Sequence, residues 1–541
     1  MIAHTRYGAV EGLADGRVTA FRGVPFAASP VGELRFRPPV PPLPWTGVRP
    51  ALEYGPAVPQ SYDAVAEEML GQLPYPSSEE DCLNLNVWTP GTGDGPRPVL
   101  VWVHGGAFLN GSGRDVVYDG ARFAARHDVV VVTINYRVGV LGFLHLADVL
   151  GEDYAESGNL GLLDQVAALR WVGENIAAFG GDPGNVTVFG QSAGAMSIVS
   201  LLTMPAARGL FHRAVVQSGS GEHVHTAERA TAVTRELLGT LGLLDPPRPP
   251  GTPGPLGTPG PLGTPETPET LGPLGTPGPL GSLGSLGFGE TIARRLREIP
   301  VADLISAQES LAAAMRARGE GMGLPFMPVV DGVVLPERPL DAIRAGAVSP
   351  VPLLLGANRD EGRLFLLAQD APAPGESALP AIFGTVCADG TGALKTFRSL
   401  HPGASPAELV AALVGTQLFL APTDRLAEAY AALTPDVWRY LFTWRSAARD
   451  GALGACHSLE LPFVFGNLDQ PGVQKFTGQN PPEALAESIG EAWAAFARTG
   501  AAPGDWPRFE LRDRWTRMLD VPCATERDPL RPLRLLKVGA E

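Results

Sequence analysis

Short uninterrupted apolar runs, set apart by helical stretches, organise this chain. Buried parallel strands read this way because both of their faces are covered. Residues 99–103, 129–134, 186–189, 214–216 and 352–355 fit that pattern, and 437–444, which alternates with polar residues, also predicts a strand. Between them, stretches such as 163–175, 195–202 and 489–498 carry helical character. Strands alternating with helices predict an α/β fold, with a mostly parallel, doubly wound central sheet and helices on both faces. In that architecture chemistry sits just beyond the carboxyl ends of the strands.

One segment breaks the pattern. From about 246 to 289 the unit Gly-Thr-Pro-Gly-Pro-Leu recurs, at Gly251, Gly257 and Gly275, and fades into Gly-Ser-Leu units. Proline breaks helices and central strands, and glycine adds entropy that folding must overcome. The period matches neither a solenoid nor collagen. The segment is therefore expected to be a disordered or loosely extended surface insertion, with a proline-rich docking segment as the alternative.

Composition narrows the partners. The 57 acidic and 42 basic residues leave a net charge of −15, which disfavours nucleic acid and anionic membrane surfaces. No apolar run reaches the roughly 18 residues of a membrane helix. Met1–Arg6 lacks a basic stretch followed by an apolar one, so no signal peptide is expected, and the chain reads as cytoplasmic. Four scattered cysteines give neither a disulfide framework nor zinc-ligand spacing, and the chemistry read below implies no metal or organic cofactor.

The candidate chemistry follows the predicted strands. The run 186–189 leads into Gly190-Gln191-Ser192-Ala193-Gly194 and then into an apolar helix. With 66 glycines among 541 residues, G-x-S-x-G arises by chance about a third of the time, so the pattern alone is weak. The strand–turn–helix context points to Ser192 as a nucleophile, presented at a helix N-terminus that favours negative charge. After 99–103 comes His104-Gly105-Gly106-Ala107-Phe108, a loop poor in side chains. Its Gly106 and Ala107 amides, with that of Ala193, are candidate donors to an oxyanion.

A serine nucleophile needs a base, and the order Ser, Asp/Glu, His expected in such hydrolases favours a late histidine. His457, beyond the strand 437–444, suits this better than His401 in a His-Pro-Gly turn; His212, His223 and His225 follow the serine too closely. The acid should follow the strand 352–355, where Asp360 and Glu361 are both available and the pattern does not separate them.

The sequence resembles the type-B carboxylesterases, relatives of cholinesterases and bacterial para-nitrobenzyl esterases, over nearly its whole length. The resemblance rests on Phe21-Arg22-Gly23-Val24-Pro25-Phe26-Ala27, Glu80-Asp81-Cys82-Leu83-Asn84-Leu85-Asn86, Tyr136-Arg137-Val138-Gly139, Gly158-Asn159-Leu160-Gly161-Leu162-Leu163-Asp164-Gln165, Phe179-Gly180-Gly181-Asp182-Pro183 and Gln217-Ser218-Gly219-Ser220. It implies one α/β-hydrolase domain over 1–541, with helical excursions above the active site. It also implies Ser192 as nucleophile, His457 as base, Glu361 rather than Asp360 as acid, and Gly106, Ala107 and Ala193 as oxyanion donors. Ser218 matches a buried serine near the triad, with a supporting hydrogen bond or none. Secreted members close a disulfide at the position of Cys82; its counterpart here is Val58, so that bridge is absent, in keeping with a reducing compartment. Cys82 is expected to be a small buried hydrophobe.

The activity so implied is hydrolysis of a small-molecule carboxylic ester through an acyl-enzyme. The rival readings are a non-catalytic scaffold or adhesion protein on the same fold, and a hydrolase of amides or carbamates.

Overall fold

Alternation along the central strands feeds two of the three hydrophobic cores among the described residues. In the strand Arg97–Val103, Val99, Val101 and Val103 enter one core while Leu100 and Trp102 enter the other. The strand Val130–Ile134 divides in the same way, with Val131 opposed to Val130 and Val132. Helices Leu160–Asn175 and Ala193–Thr203 cover the first face; Ala121–His127 and Glu483–Thr499 cover the second. A strand buried on both faces has to be apolar throughout, which is why these runs are readable in sequence.

The computed structural model describes residues 1–61, 75–92, 95–244, 285–320, 322–348, 350–367, 373–536 and 538. Among the described residues the sheet has thirteen strands. Its centre is parallel, in the order Val130–Ile134, Arg97–Val103, Gly181–Gln191, Arg213–Gln217, Leu353–Asn358, Val437–Phe442 and Trp515–Leu519. Antiparallel strands extend it on both sides. Asn84–Thr89, Val18–Pro25, Gly8–Asp15 and Ile2–Thr5 follow on one edge, and Ala524–Arg527 closes the other. The fold is the α/β-hydrolase fold, as expected.

Several blocks that carried the resemblance are structural. The buried Arg137 guanidinium donates to Asp164 at 2.7 and 2.8 Å, and the Arg137 N–H donates to the same carboxylate at 2.9 Å. This pair ties the loop after Val130–Ile134 to the helix Leu160–Asn175. Cys82 is buried, its thiol donates to the Glu79 carbonyl, and burial pushes its pKa up to about 12. It behaves as the inert side chain expected.

Two expectations need correction. The strand predicted at 437–444 ends at Phe442 and is buried along its whole length. Its Arg439, which made the run look amphipathic, is held inside by Asp424 at 2.6 Å. Second, residues 246–284 of the expected insertion lie outside the described residues, but 285–289 belong to the helix Ser285–Glu298, so the insertion ends earlier. Pro406–Ala431 is a continuous 26-residue helix, long and apolar enough by length and composition to cross a membrane although it holds no uninterrupted apolar run of 18 residues. Half of its most apolar stretch is buried inside the protein, as in a core helix.

Candidate active site

Four neighbouring strands deliver the expected residues to one place. Val103 ends the strand before His104–Ala107, Gln191 the strand before Ser192, Gln217 the strand before Ser218, and Asn358 the strand before Glu361. All four end on the same edge because Val103 pairs with Gly190, Gln191 with Gln217, and Gln217 with Gly356.

The turn at Ser192 is sterically forced. The strand gives way to the helix Ala193–Thr203 within one residue, leaving Ser192 at φ 56°, ψ −125°. Such backbone angles cost a non-glycine residue on the order of 1–3 kcal/mol and survive only where the surroundings impose them. The flanking glycines show what does so. A Cβ on Gly194 would lie 2.0 Å from the Val103 carbonyl oxygen, and one on Gly190 would lie 2.7 Å from the same atom. The helix therefore begins pressed against the neighbouring strand, and Ser192 is pushed outward.

The glycine-rich loop meets this turn. Gly106 adopts φ 109°, and a Cβ there would sit 2.1 Å from the Asn110 carbonyl oxygen, so only glycine fits. Ala107 and Phe108 continue with φ 55° and 61°. Tyr136 steadies the loop by stacking on the His104 ring, 4.3 Å between centroids, and donating from its hydroxyl to the His104 carbonyl at 2.8 Å. Burial lowers the His104 pKa to about 4, so this ring is a neutral structural group. The N–H groups of Gly106, Ala107 and Ala193 have no hydrogen-bond partner among the described residues. All three residues line one cavity with Ser192 and His457.

Glu361 and His457 are in direct contact. Glu361 Oε2 lies 2.6 Å from His457 Nδ1, which places the ring proton on Nδ1 and leaves Nε2 as an acceptor. The other carboxylate oxygen, Oε1, accepts from the Ser218 hydroxyl at 2.5 Å and the Asn358 N–H at 2.7 Å. Asp360 turns elsewhere: its Oδ2 accepts the Ala455 N–H at 2.9 Å, anchoring the loop that leads to His457. His401 sits at the end of the helix Gly390–Leu400 and does not line the cavity. The Ser192 hydroxyl makes no hydrogen bond to His457 here. The Gln191 carboxamide nitrogen lies 3.1 Å from Nε2 instead. In ligand-free hydrolases this contact is often long and tightens only with substrate bound.

Other residues join the site that sequence reasoning passed over. Phe419 packs on the His457 ring with centroids 4.4 Å apart, and Phe365 lies 5.4 Å from it. Phe419 sits in a π-helical turn, Thr416–Leu420, within the Pro406–Ala431 helix. Glu460 is buried behind His457 and accepts from Asn358 Nδ2 at 2.6 Å and Gln217 Nε2 at 3.2 Å. Burial, then the nearby Glu361 charge, pushes its pKa up to about 7. His223, set aside on chain order, lines the cavity. Only its place behind the Gln217–Ser220 block could have signalled this.

The cavity holds about 450 Å³ and has largely apolar walls, including Met196, Leu324, Met327, Leu364 and Phe476. Fold and site together define an α/β-hydrolase with a serine, a histidine and a glutamate gathered at the carboxyl edge of its sheet.

The carboxylesterase family model matches residues 1–247, 285–381 and 397–527, and the chain belongs to that family. It is 37% identical to the para-nitrobenzyl esterase of Bacillus subtilis (strain 168) over 534 residues, 98% of this chain and 96% of that one. It is also 37% identical to the phenmedipham hydrolase of Pseudarthrobacter oxydans over 526 residues, 95% of this chain and 93% of the relative. The crystal structure of a carboxylesterase from Geobacillus stearothermophilus superposes with a TM-score of 0.79 at 39% identity, covering 99% of both chains. The protein is a carboxylic ester hydrolase. The longer of the two breaks in the family match, 248–284, falls within the Gly/Pro repeat.

Proposed function

We propose that the protein hydrolyses small carboxylic esters by two-step acyl transfer, with Ser192 as nucleophile, His457 as base and Glu361 as the acid that orients it. Ser192 Oγ attacks the ester carbonyl carbon while His457 Nε2 takes its proton. The carbonyl oxygen becomes an oxyanion held by the N–H groups of Gly106, Ala107 and Ala193. His457 then gives the proton to the departing alkoxide, leaving an acyl-serine. A water molecule, deprotonated by the same nitrogen, attacks that acyl group; the acid departs and Ser192 regains its proton. Glu361 keeps Nδ1 protonated and stabilises the imidazolium formed in each step, and Ser218 holds Glu361 in place.

The observation that carries this reading is the 2.6 Å Glu361–His457 contact, in a cavity shared with Ser192 and three unengaged amides. Free thiols at Cys82, Cys387 and Cys456, all buried, support a reducing, cytoplasmic setting. Rapid mixing with 4-nitrophenyl butyrate tests the mechanism. A burst of 4-nitrophenol close to one equivalent per chain, followed by slower steady turnover, is expected where deacylation limits the rate. No turnover of 4-nitrophenyl or 4-nitrobenzyl esters contradicts the proposal.

A further inference from the structure

Besides Ser192, His457 and the polar residues around them, the largely apolar cavity is lined by two further basic side chains. Arg316 reaches it from the last turn of the helix Val301–Ala317, and His223 reaches it from the loop after Gln217. The two walls are joined by a short parallel pairing of His225–Thr226 with Val329–Val330, and the His225 N–H donates to the Pro328 carbonyl at 2.8 Å. Gly323, at φ 66°, supports the arginine: a Cβ there would lie 2.5 Å from Arg316 Cγ. The arginine stem thus rests directly on the loop backbone.

Its place sets this arginine apart: among the described residues it is the one arginine that lines the cavity. The chain carries 57 acidic against 42 basic residues, so carboxylates are in excess, and most ion pairs here involve arginine. The exposed Arg316 guanidinium has no ion pair or hydrogen bond among the described residues, and neither have those of Arg17, Arg208 and Arg235. The carboxylate that shares the cavity, Asp115, is buried and accepts the Val117 N–H at 2.9 Å. His223 Nδ1 faces the Ser220 hydroxyl at 3.3 Å, and burial lowers its pKa, so it offers hydrogen bonding rather than charge.

We propose that Arg316, with His223 beside it, forms a subsite for an anionic group on the substrate, so that the enzyme selects esters bearing a carboxylate at the far end of one arm. This rests on the esterase reading above and adds the substrate class to it. A guanidinium pairs with a carboxylate through parallel N–H donors, and at a solvent-reached rim the effect should be modest, roughly tenfold.

Two matched pairs of esters test it, one for each arm. The first pair is the mono-4-nitrophenyl ester of adipic acid and the same ester with a carboxamide replacing the free carboxyl. The second is the butyrate ester of 6-hydroxyhexanoic acid and its carboxamide counterpart. In at least one pair, wild type should favour the anionic member in kcat/KM. Arg316→Gln should lower that preference about tenfold, Arg316→Lys should retain part of it, and added salt should weaken it in wild type only. Equal preferences in wild type and Arg316→Gln, for both pairs, overturn the subsite. If wild type turns over none of these esters nor 4-nitrophenyl butyrate, it is the esterase reading that fails. The subsite is then decided by calorimetric titration of the adipate half-ester. Roughly tenfold weaker binding to Arg316→Gln supports it, and equal binding overturns it.

Discussion

Glu361 receives hydrogen bonds from three directions, the Ser218 hydroxyl, the Asn358 N–H and His457, while its neighbour Asp360 holds the Ala455 N–H. Two adjacent carboxylates thereby have different tasks. Glu361→Gln leaves a neutral amide that cannot stabilise an imidazolium, so kcat/KM for 4-nitrophenyl butyrate should fall by several orders of magnitude. Asp360→Asn keeps an oxygen for the Ala455 N–H and should cost less than tenfold; equal losses would reverse the assignment. The sequence left these residues open because both follow the same strand; only the backbone turn decides which one faces His457. Glu460 gives a second prediction. Its pKa rises from 4.5 unfolded to about 7 folded, so between these values the folded protein binds more protons and stability falls as pH rises. Glu460→Gln removes that dependence. Its melting temperature relative to wild type should climb between about pH 5 and pH 8, and a flat difference would show that Glu460 is ionised throughout.

The strand–turn–helix element around Ser192 is tightly specified. Gly194→Ala would place a methyl 2.0 Å from the Val103 carbonyl oxygen. The helix start must then shift, costing about 1–3 kcal/mol and moving Ser192 away from its donors. A variant with wild-type melting temperature and activity would mean that the contact is not a constraint. The central strands were legible because burial on both faces leaves continuous apolar runs. The antiparallel strands Gly8–Asp15 and Val18–Pro25 leave no such run: they lie toward the edge, with exposed positions such as Leu13 and a bulge between Phe21 and Val24. Arg439 misled for the opposite reason. Its charge is buried with Asp424, a pairing that no local pattern records. His223 was hidden likewise, since closeness in sequence to Ser192 says little about which wall a loop will line.

At the scale of the whole molecule, one thirteen-stranded sheet runs from the first strand to the last with three hydrophobic cores among the described residues, and we read the chain as a single domain with one long insertion. The helices Ala227–Thr240 and Ser285–Glu298 bracket that insertion, and the family match stops at 247 and resumes at 285. Loop closure costs only about 0.6 kcal/mol per doubling of length, so such a segment needs no structural purpose. Replacing 248–284 by a short Gly/Ser linker should leave kcat/KM for a small ester within about twofold and the melting temperature equal or higher. Loss of activity would make the segment part of the catalytic unit. The central claim, that Ser192 is the nucleophile, is tested most directly by covalent trapping. The intact protein is treated with a 4-nitrophenyl alkylphosphonate, weighed by mass spectrometry and mapped by peptide. One adduct per chain on Ser192 is expected, with Ser192→Ala unlabelled, folded and slower by roughly 10⁶ in kcat. An adduct on another serine, with the Ser192→Ala protein still turning over esters, would contradict the account.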